Sequence, residues 1–242
     1  MYYPAWSPDG QWLACSQNAI THSQEGSSAE EGIAIVRPDG TGAVQITAGA
    51  DEAPSWSPDG KRIVFSRFTH RDRAKLCIVD VATRRVADIT DDASLNRFPS
   101  WSTWGDAIAF TSNRSGMDKL WLQASRRAHP QLIPNQPSGS CAFPAWSPTG
   151  KTILFVVAPG DVYGFPAHLF TMAPDGSHRK RLAISRVIAD HVAWSPDGEQ
   201  IAFVRSIAPR KAGIFIASLY PLSVRQVYPR IGEYDSVSWP AW

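Results

Sequence analysis

The sequence feature that most constrains the fold is a hairpin motif that recurs along the whole chain. Its clearest copy is PSWSPDGKRIVF, which begins at Pro54. The segment Ser57–Gly60 predicts a tight turn, because proline presets φ, aspartate bonds the nearby backbone and glycine accepts a positive φ. Apolar Ile63 and Phe65 alternate after the turn, which is typical of a strand with one face in a core. Related motifs begin at Pro4, Pro99, Pro144 and Val192, and a partial one begins at Val237.

Tryptophans mark the same position of successive motifs at intervals of 45 to 50 residues: Trp6, Trp56, Trp101, Trp146, Trp194 and Trp239. Each full interval contains four short strand-like runs, here called a to d, and no useful stretch with helical periodicity. Runs b and c are almost continuously apolar, as expected for strands whose two faces are both buried. A strand-rich repeat of this length is typical of a β-propeller, in which blades stack face to face. We therefore predict an all-β propeller with four-stranded antiparallel blades.

The chain is expected to form one propeller domain over residues 1-242, with five complete repeats and the first strand of a sixth. The predicted repeats span about 1-50, 51-95, 96-140, 141-188 and 189-233, with the partial repeat at 234-242. We expect five blades, with the last strand pairing near the N-terminus as a latch. A truncated six-bladed ring is the alternative.

Composition argues against several classes of partner. The formal net charge is +2 and no basic block occurs, so we expect no nucleic-acid partner. Three scattered cysteines, Cys15, Cys77 and Cys141, do not predict a disulfide framework or a zinc site. No apolar run approaches the ~20 residues of a membrane helix, and the chain starts inside the first hairpin. We therefore expect a monomer without membrane insertion and without a signal peptide in this chain.

The position of proline predicts which strand lines the central channel. Four prolines lie two residues before the repeat tryptophan, inside run a: Pro4, Pro54, Pro99 and Pro144. Because proline cannot donate to a ladder, it belongs on an edge strand, and the inner edge of a propeller blade faces the channel. Antiparallel order then places the short a–b and c–d turns on one face, here the turn face. The variable b–c and d–a loops form the other, here the loop face, which we predict to be the working surface.

Ring closure is expected to bring polar residues of separate d–a loops to the channel mouth on the loop face. The predicted binding residues are Glu52, Arg97, His191 and Asp235. We expect Arg97 to pair with an anionic group of a partner and the acids to pair with a cationic group. Two alternatives are that these residues are solvated loop residues capping strand a, or that Glu52, Asp190, His191 and Asp235 hold a divalent ion. We predict no catalytic residue, no metal and no cofactor.

A second set of residues is predicted to be structural. The repeat tryptophans are expected to pack between blades, and four glycines to complete the a–b turns: Gly10, Gly60, Gly150 and Gly198. The turn aspartates, Asp9, Asp59 and Asp197, recur with the turn and are expected to support it rather than form a carboxylate site. Four tryptophans lie outside the repeat register, and any that is exposed would be a candidate for interaction: Trp12, Trp104, Trp121 and Trp242.

The repeat PxWSPDGxxIAF, together with TSNRSG at Thr111–Gly116, resembles the TolB-type, or WD-like, propeller repeat over essentially the whole chain. Repeats one, two and five carry the full WSPDG, whereas repeat four has WSPTG and repeat three has WSTWG. The resemblance implies a bacterial, periplasmic interaction scaffold. Similar repeats also form gating propellers of prolyl-oligopeptidase-type peptidases and occur in some polysaccharide lyases.

From this resemblance we expect a non-enzymatic scaffold that binds a protein or peptide partner on the loop face. One alternative is an enzyme with a channel-mouth site acting on a saccharide or peptide. Another is the regulatory propeller of a peptidase without its catalytic domain. No G-x-S-x-G nucleophile elbow occurs in the chain, so the sequence contains no candidate for the nucleophile of such a peptidase.

Overall fold

The computed structural model describes residues 2–17, 32–91, 93–160, 167–185, 187–208 and 211–227. Within these ranges the chain forms five four-stranded antiparallel sheets and no helix. In each sheet the strands pair in chain order, from the innermost strand to the outermost. The predicted all-β propeller is therefore confirmed, with five blades in a ring. The described residues contain no helix that could cross a membrane.

The strands of the first three blades have the following bounds. Blade one contains β1 (Tyr2–Trp6), β2 (Leu13–Gln17), β3 (Gly32–Val36) and β4 (Val44–Gln45). Blade two contains β5 (Asp51–Trp56), β6 (Arg62–His70), β7 (Arg73–Asp80) and β8 (Val86–Asp88). Blade three contains β9 (Asn96–Trp101), β10 (Ile108–Ser112), β11 (Lys119–Gln123) and β12 (Gln131–Leu132).

The last two blades repeat the same order. Blade four contains β13 (Ser140–Trp146), β14 (Ile153–Ala158), β15 (His168–Met172) and β16 (Lys180–Arg181). Blade five contains β17 (Val187–Trp194), β18 (Gln200–Ala208), β19 (Lys211–Leu219) and β20 (Leu222–Gln226). Strands β13 and β17 begin slightly before the repeat boundaries expected at 141 and 189. The partial repeat at 234-242 lies outside the described residues.

The a–b turn is built by its own side chains. In blade two, the Gly60 amide donates to the Ser57 carbonyl (2.9 Å), and the Asp59 carboxylate accepts from the Ser57 hydroxyl and the Lys61 amide. Gly60 has a φ of 67°, which glycine adopts without steric cost. The turns of blades one and five make the same bonds with Asp9 and Asp197. These aspartates therefore act within their turns.

Successive blades from one to five pack on each other through the second strand and the repeat tryptophan. Four phenylalanines occupy the same position of the second strand and are fully buried: Phe65, Phe110, Phe155 and Phe203. Indole nitrogens reach the preceding blade, since Trp56, Trp146 and Trp194 donate to backbone carbonyls of Ala5, Ser100 and Ala145, each at 3.1 Å. Burying the ring and satisfying its N–H together make this position specific for tryptophan.

Blade three departs from this pattern because its turn is WSTWG. Trp101 donates its indole N–H to the carbonyl of Gly105 in its own blade, while its backbone N–H donates to the Ser55 hydroxyl of blade two. Trp56, Trp101 and Trp146 are at most 8% exposed, whereas Trp6 and Trp194 are half-buried. Trp239 lies outside the described residues.

Replacing Trp56 by alanine is expected to lower the free energy of unfolding by about 3–5 kcal/mol, because it empties a packed site between two blades. Trp104→Ala is the matched control, since this side chain is 76% exposed and its loss should cost less than about 1 kcal/mol. Urea unfolding followed by circular dichroism measures both. Equal midpoints for the two variants would show that Trp56 is not part of the core.

Gly60→Val is expected to lower the free energy of unfolding by at least about 1–2 kcal/mol, because a β-branched residue is strained at positive φ. Asp59→Asn should cost much less, since an amide oxygen can accept the same local bonds. Thermal unfolding of the two variants compares them. A larger loss from Asp59→Asn than from Gly60→Val would contradict the described turn chemistry.

Candidate binding site at the channel mouth

The inner strand of every blade is irregular at one position, three residues before the repeat tryptophan. Four of the residues at this position have a φ between 53° and 56°: Tyr3, Ala53, Phe98 and Phe143. The pairing of the inner strand with its neighbour shifts at the same place, which is the mark of a β-bulge. In blade five the equivalent residue is His191, and valine replaces the proline that follows it elsewhere.

The residues at this position close the channel. The ring centroids of Phe98 and Phe143 are 4.2 Å apart, and the His191 ring lies 4.7 Å from that of Tyr3 and 4.6 Å from that of Phe143. We call Tyr3, Phe98, Phe143 and His191 the aromatic plug. Together with Ala53, the four prolines and Val192, the plug leaves a cavity of about 60 Å³ on the axis. This volume is far below the several hundred Å³ of typical ligand pockets.

Charged residues lie one position nearer the loop face, in the part of the inner strands that precedes the plug. Arg97 binds Asp118 of the third blade's b–c loop through Nη2 and Oδ2 at 2.8 Å, and both side chains are 11% exposed. Its guanidinium carbon also lies 5.1 Å from the centroid of Phe98, which joins the charged layer to the plug. We define the channel mouth as Glu52, Arg97, Asp118 and Asp190.

Burial perturbs two carboxyl groups of the mouth. It raises the pKa of Glu52 to about 7, although the neighbouring positive charge of Arg97 opposes that rise. Burial also raises the pKa of Asp190, against the opposing hydrogen bonds from His191, whose backbone N–H donates to Oδ1 at 2.7 Å. A cationic group placed in the mouth would lower the free energy of the ionised form of both carboxyl groups.

Comparison with known proteins identifies the family. The sequence profile described as "TolB beta propeller domain" matches residues 1–158, which is more than half of the chain. The chain belongs to the TolB beta-propeller domain family. The TolB-type assignment made from the repeat motif is thus confirmed.

Sequence relatives cover very different shares of this TolB-family chain. An uncharacterized protein of Agrobacterium fabrum is 25% identical over 84% of the chain and 83% of its own length. The Tol-Pal system protein TolB of Francisella tularensis is 29% identical over 63% of the chain but only 34% of its own length. The chain therefore spans about a third of the Francisella protein.

Solved structures share the fold. TolB from Acinetobacter baumannii superposes with a TM-score of 0.74 at 20% identity, covering 90% of this chain and 52% of that one. A putative TolB from Agrobacterium tumefaciens superposes with a TM-score of 0.71 at 23% identity, covering 84% of this chain and 73% of that one. An oligogalacturonate lyase in complex with manganese also matches, with a TM-score of 0.65 at 14% identity over 94% of this chain and 64% of that one. At these identities the likeness concerns the fold.

The structure brings together part of the binding set predicted from sequence. Glu52 and Arg97 lie on neighbouring blades, close enough for the charge of Arg97 to act on the Glu52 carboxyl. His191 belongs to the aromatic plug rather than to the charged layer, although it contacts Asp190. Asp235 lies outside the described residues. The binding role of all four residues stays a prediction.

Sequence reasoning missed the plug and the partner of Arg97. The plug residues Tyr3, Phe98 and Phe143 each directly precede the motif proline, so the motif itself contained the pattern that could have located them. Asp118 lies in a b–c loop, and no repeat position marks it. Its contact with Arg97 depends on the path of that loop, which the motif does not determine.

The rim of the TolB-family mouth is held by polar contacts between strands. Asp51, whose side chain is fully buried, accepts two bonds from Arg67, at 2.7 and 2.8 Å, and one from Thr47. At the equivalent position of blade three, Asn96 accepts from Arg114 at 2.8 Å. The bidentate pairing of Arg67 with Asp51 fixes geometry as well as charge at the start of β5.

The hypothesis of a divalent ion at the mouth finds no ligand cluster in the described ranges. No three histidine, cysteine, aspartate or glutamate side chains converge there as metal ligands. Asp235, one of the four residues considered for that ion, lies outside the described residues, so this finding does not cover it.

Glu52→Gln is expected to change how stability depends on pH. Because burial raises the pKa of folded Glu52 to about 7, the stability that its neutral form contributes is present below about pH 4.5 and is lost as pH rises through 7. Between pH 4.5 and pH 7, the free energy of unfolding of the wild type should fall by on the order of 3 kcal/mol relative to that of Glu52→Gln. Above pH 7 the two free energies should not diverge further. Urea unfolding at stepped pH measures the difference.

The matched control is Glu199→Gln, which removes an exposed carboxylate of the a–b turn in blade five. Its stability should follow that of the wild type across the same range. If the curves of Glu52→Gln and the wild type ran parallel from pH 4 to pH 8, Glu52 would not be the buried acid described here.

Proposed function

We propose that this TolB-family propeller is a non-enzymatic scaffold that binds a protein partner through the channel mouth on its loop face. The observation that carries the proposal is the position of the aromatic plug. Among the residues that the structure describes, it closes the channel directly beneath the charged layer and leaves a cavity of only about 60 Å³, so these residues offer a shallow surface rather than a deep pocket. A shallow charged surface suits a protein segment better than an enclosed small molecule.

The charges of the mouth indicate which part of the partner is recognised. Arg97 is already paired with Asp118, and this leaves Glu52 and Asp190 as carboxyl groups that burial has made costly to ionise. We therefore assign recognition to these two acids, with a lysine, arginine or amino-terminal group of the partner lying between them. The expectation that Arg97 binds an anionic group is replaced in this proposal by its pairing with Asp118.

The relatives support a protein partner and suggest where it is found. The Francisella protein is named as a component of a Tol-Pal system, and the resemblance of the repeats implies the periplasm. Because this chain spans only a third of that relative, its partner and its location are part of the proposal. We take the chain to act as a monomer and expect the partner among components of such a system.

The enzymatic alternatives receive less support from the geometry. The axial cavity of about 60 Å³ is too small for a saccharide unit or a peptide segment. Puromycin hydrolase shares the fold with a TM-score of 0.65, but this chain covers only 38% of it. A regulatory propeller of a peptidase would need a catalytic partner, which is a protein-binding role in its own right.

A photo-cross-linking amino acid at Tyr2, in the inner strand of blade one, is expected to capture a partner in bacterial cells. The same group at Val86, on the outer strand of blade two, is the control and should capture little. Mass spectrometry of the cross-linked bands identifies the partner. Equal capture from both positions would contradict recognition at the mouth.

The affinity of the purified partner then tests the charges. The double variant Glu52→Gln/Asp190→Asn is expected to weaken binding about tenfold or more, because it removes both acids that face the cation. The triple variant Asp9→Asn/Asp59→Asn/Asp197→Asn alters the turn face and should bind as the wild type does. If only the triple variant lost binding while circular dichroism showed it to be folded, the partner would bind the turn face, and the proposal would be wrong.

A further inference from the structure

A groove of about 680 Å³ lies on the turn face between blades four and five, on the opposite side of the propeller from the channel mouth. It runs between the a–b and c–d turns of the two blades. Trp194 and Met172 line it, and Tyr220, which is 84% exposed, stands at its rim. The volume falls within the range of sites that bind ligands or peptide segments.

One covering side chain of blade two has no counterpart at the groove. In blade two, Arg62 begins the second strand, and its guanidinium carbon lies 5.0 Å from the ring centroid of Trp101 in the next blade. The equivalent residue of blade four is Thr152, which lines the groove together with Trp194. A threonine is too short to cover an indole as Arg62 does. Trp194 is half-buried, whereas Trp101 is 4% exposed.

The outer strands of the two blades beside the groove differ in length. The outer strand β16 of blade four has two residues, but β20 of blade five has five. Most of β20 therefore has no counterpart on the neighbouring blade. Leu222, at its start, lines the groove and is 41% exposed.

The two walls of the groove differ in chemistry. Blade five contributes an apolar wall of Leu219, Tyr220 and Leu222, with Trp194 beside it. Blade four contributes the cationic residues, which are Lys151, Lys180 and Arg181. Within the described ranges, neither Lys151 nor Lys180 has an ion pair or a side-chain hydrogen bond. The one acid of the lining is Asp197, whose carboxylate is occupied by the Ser195 hydroxyl and the Glu199 amide.

An extended peptide matches these two walls, because its successive side chains point in opposite directions. With apolar and acidic residues in alternation, it would place the apolar ones against blade five and the carboxylates against Lys151 and Lys180. We propose that the groove binds an acidic, extended segment of a partner protein. This second site on the turn face is independent of the channel mouth.

The test measures fluorescence anisotropy of a labelled peptide of about six alternating leucine and glutamate residues, roughly 20 Å long when extended. We expect saturable binding to the full chain that weakens as NaCl rises from about 50 to about 300 mM. The same composition with its glutamates in one block should bind at least about tenfold more weakly, since it cannot match both walls. A peptide with lysine in place of glutamate should not bind.

Two charge variants form a matched pair. Lys151→Glu/Lys180→Glu is expected to weaken binding about tenfold or more. Lys61→Glu/Arg85→Glu makes the same change of net charge at exposed positions on the turn face of blade two, where Lys61 occupies the place of Lys151, and it should alter affinity less than about twofold. An equal loss in both variants would overturn the proposal, because it would show attraction to overall charge rather than to the groove.

The decisive variant is Thr152→Arg, which restores the side chain that covers the tryptophan in blade two. It adds a positive charge, so non-specific attraction of an acidic peptide would grow stronger. Binding in the groove should instead weaken by about tenfold, because the arginine fills the site above Trp194. Unchanged or stronger binding, or equal affinity for an acidic oligosaccharide, would contradict the proposal. So would the absence of saturable binding by the wild type.

Discussion

The structure depends on the contact that three of the repeat tryptophans make with the blade before them. Trp56, Trp146 and Trp194 bury apolar surface against that blade and donate an indole N–H to its inner strand. A four-stranded blade cannot cover its own two faces, so it is stable only when neighbours supply that surface. Because the contact joins inner strands, it also determines how closely the blades approach the axis. The dimensions of the channel follow from it.

Close approach of the inner strands explains the aromatic plug. A bulge before the motif proline holds Tyr3, Phe98 and Phe143 at positive φ, a conformation that is strained for side chains of this size. The strain is tolerated because the rings pack against one another and against His191 on the axis. The plug in turn gives the mouth a floor, so Glu52 and Asp190 are shielded from water beneath a shallow opening. This burial raises the pKa of both carboxyl groups.

The two faces of the propeller have different chemistry for a topological reason. The first residues of the inner strands meet at the mouth and carry Glu52, Arg97 and Asp190, and a b–c loop adds Asp118. The turns on the opposite face repeat one hydrogen-bonding pattern, so differences there come from single residues. Thr152 in place of an arginine and a longer β20 accompany a groove beside Trp194. Small departures from the repeat thus create sites where the repeat itself leaves little room.

The sequence by itself determined the repeat and therefore the fold. Tryptophan spacing, turn residues such as Asp59 and Gly60, and apolar second strands are local patterns, and local patterns predict strands, turns and blade architecture. Only the tertiary structure decided which polar residues meet. It paired Arg97 with Asp118, buried Glu52, stacked His191 in the plug and left an opening above Trp194. Each of these features depends on segments that are distant in sequence. Such contacts depend on how blades pack around the axis, and that distance information is absent from any single repeat.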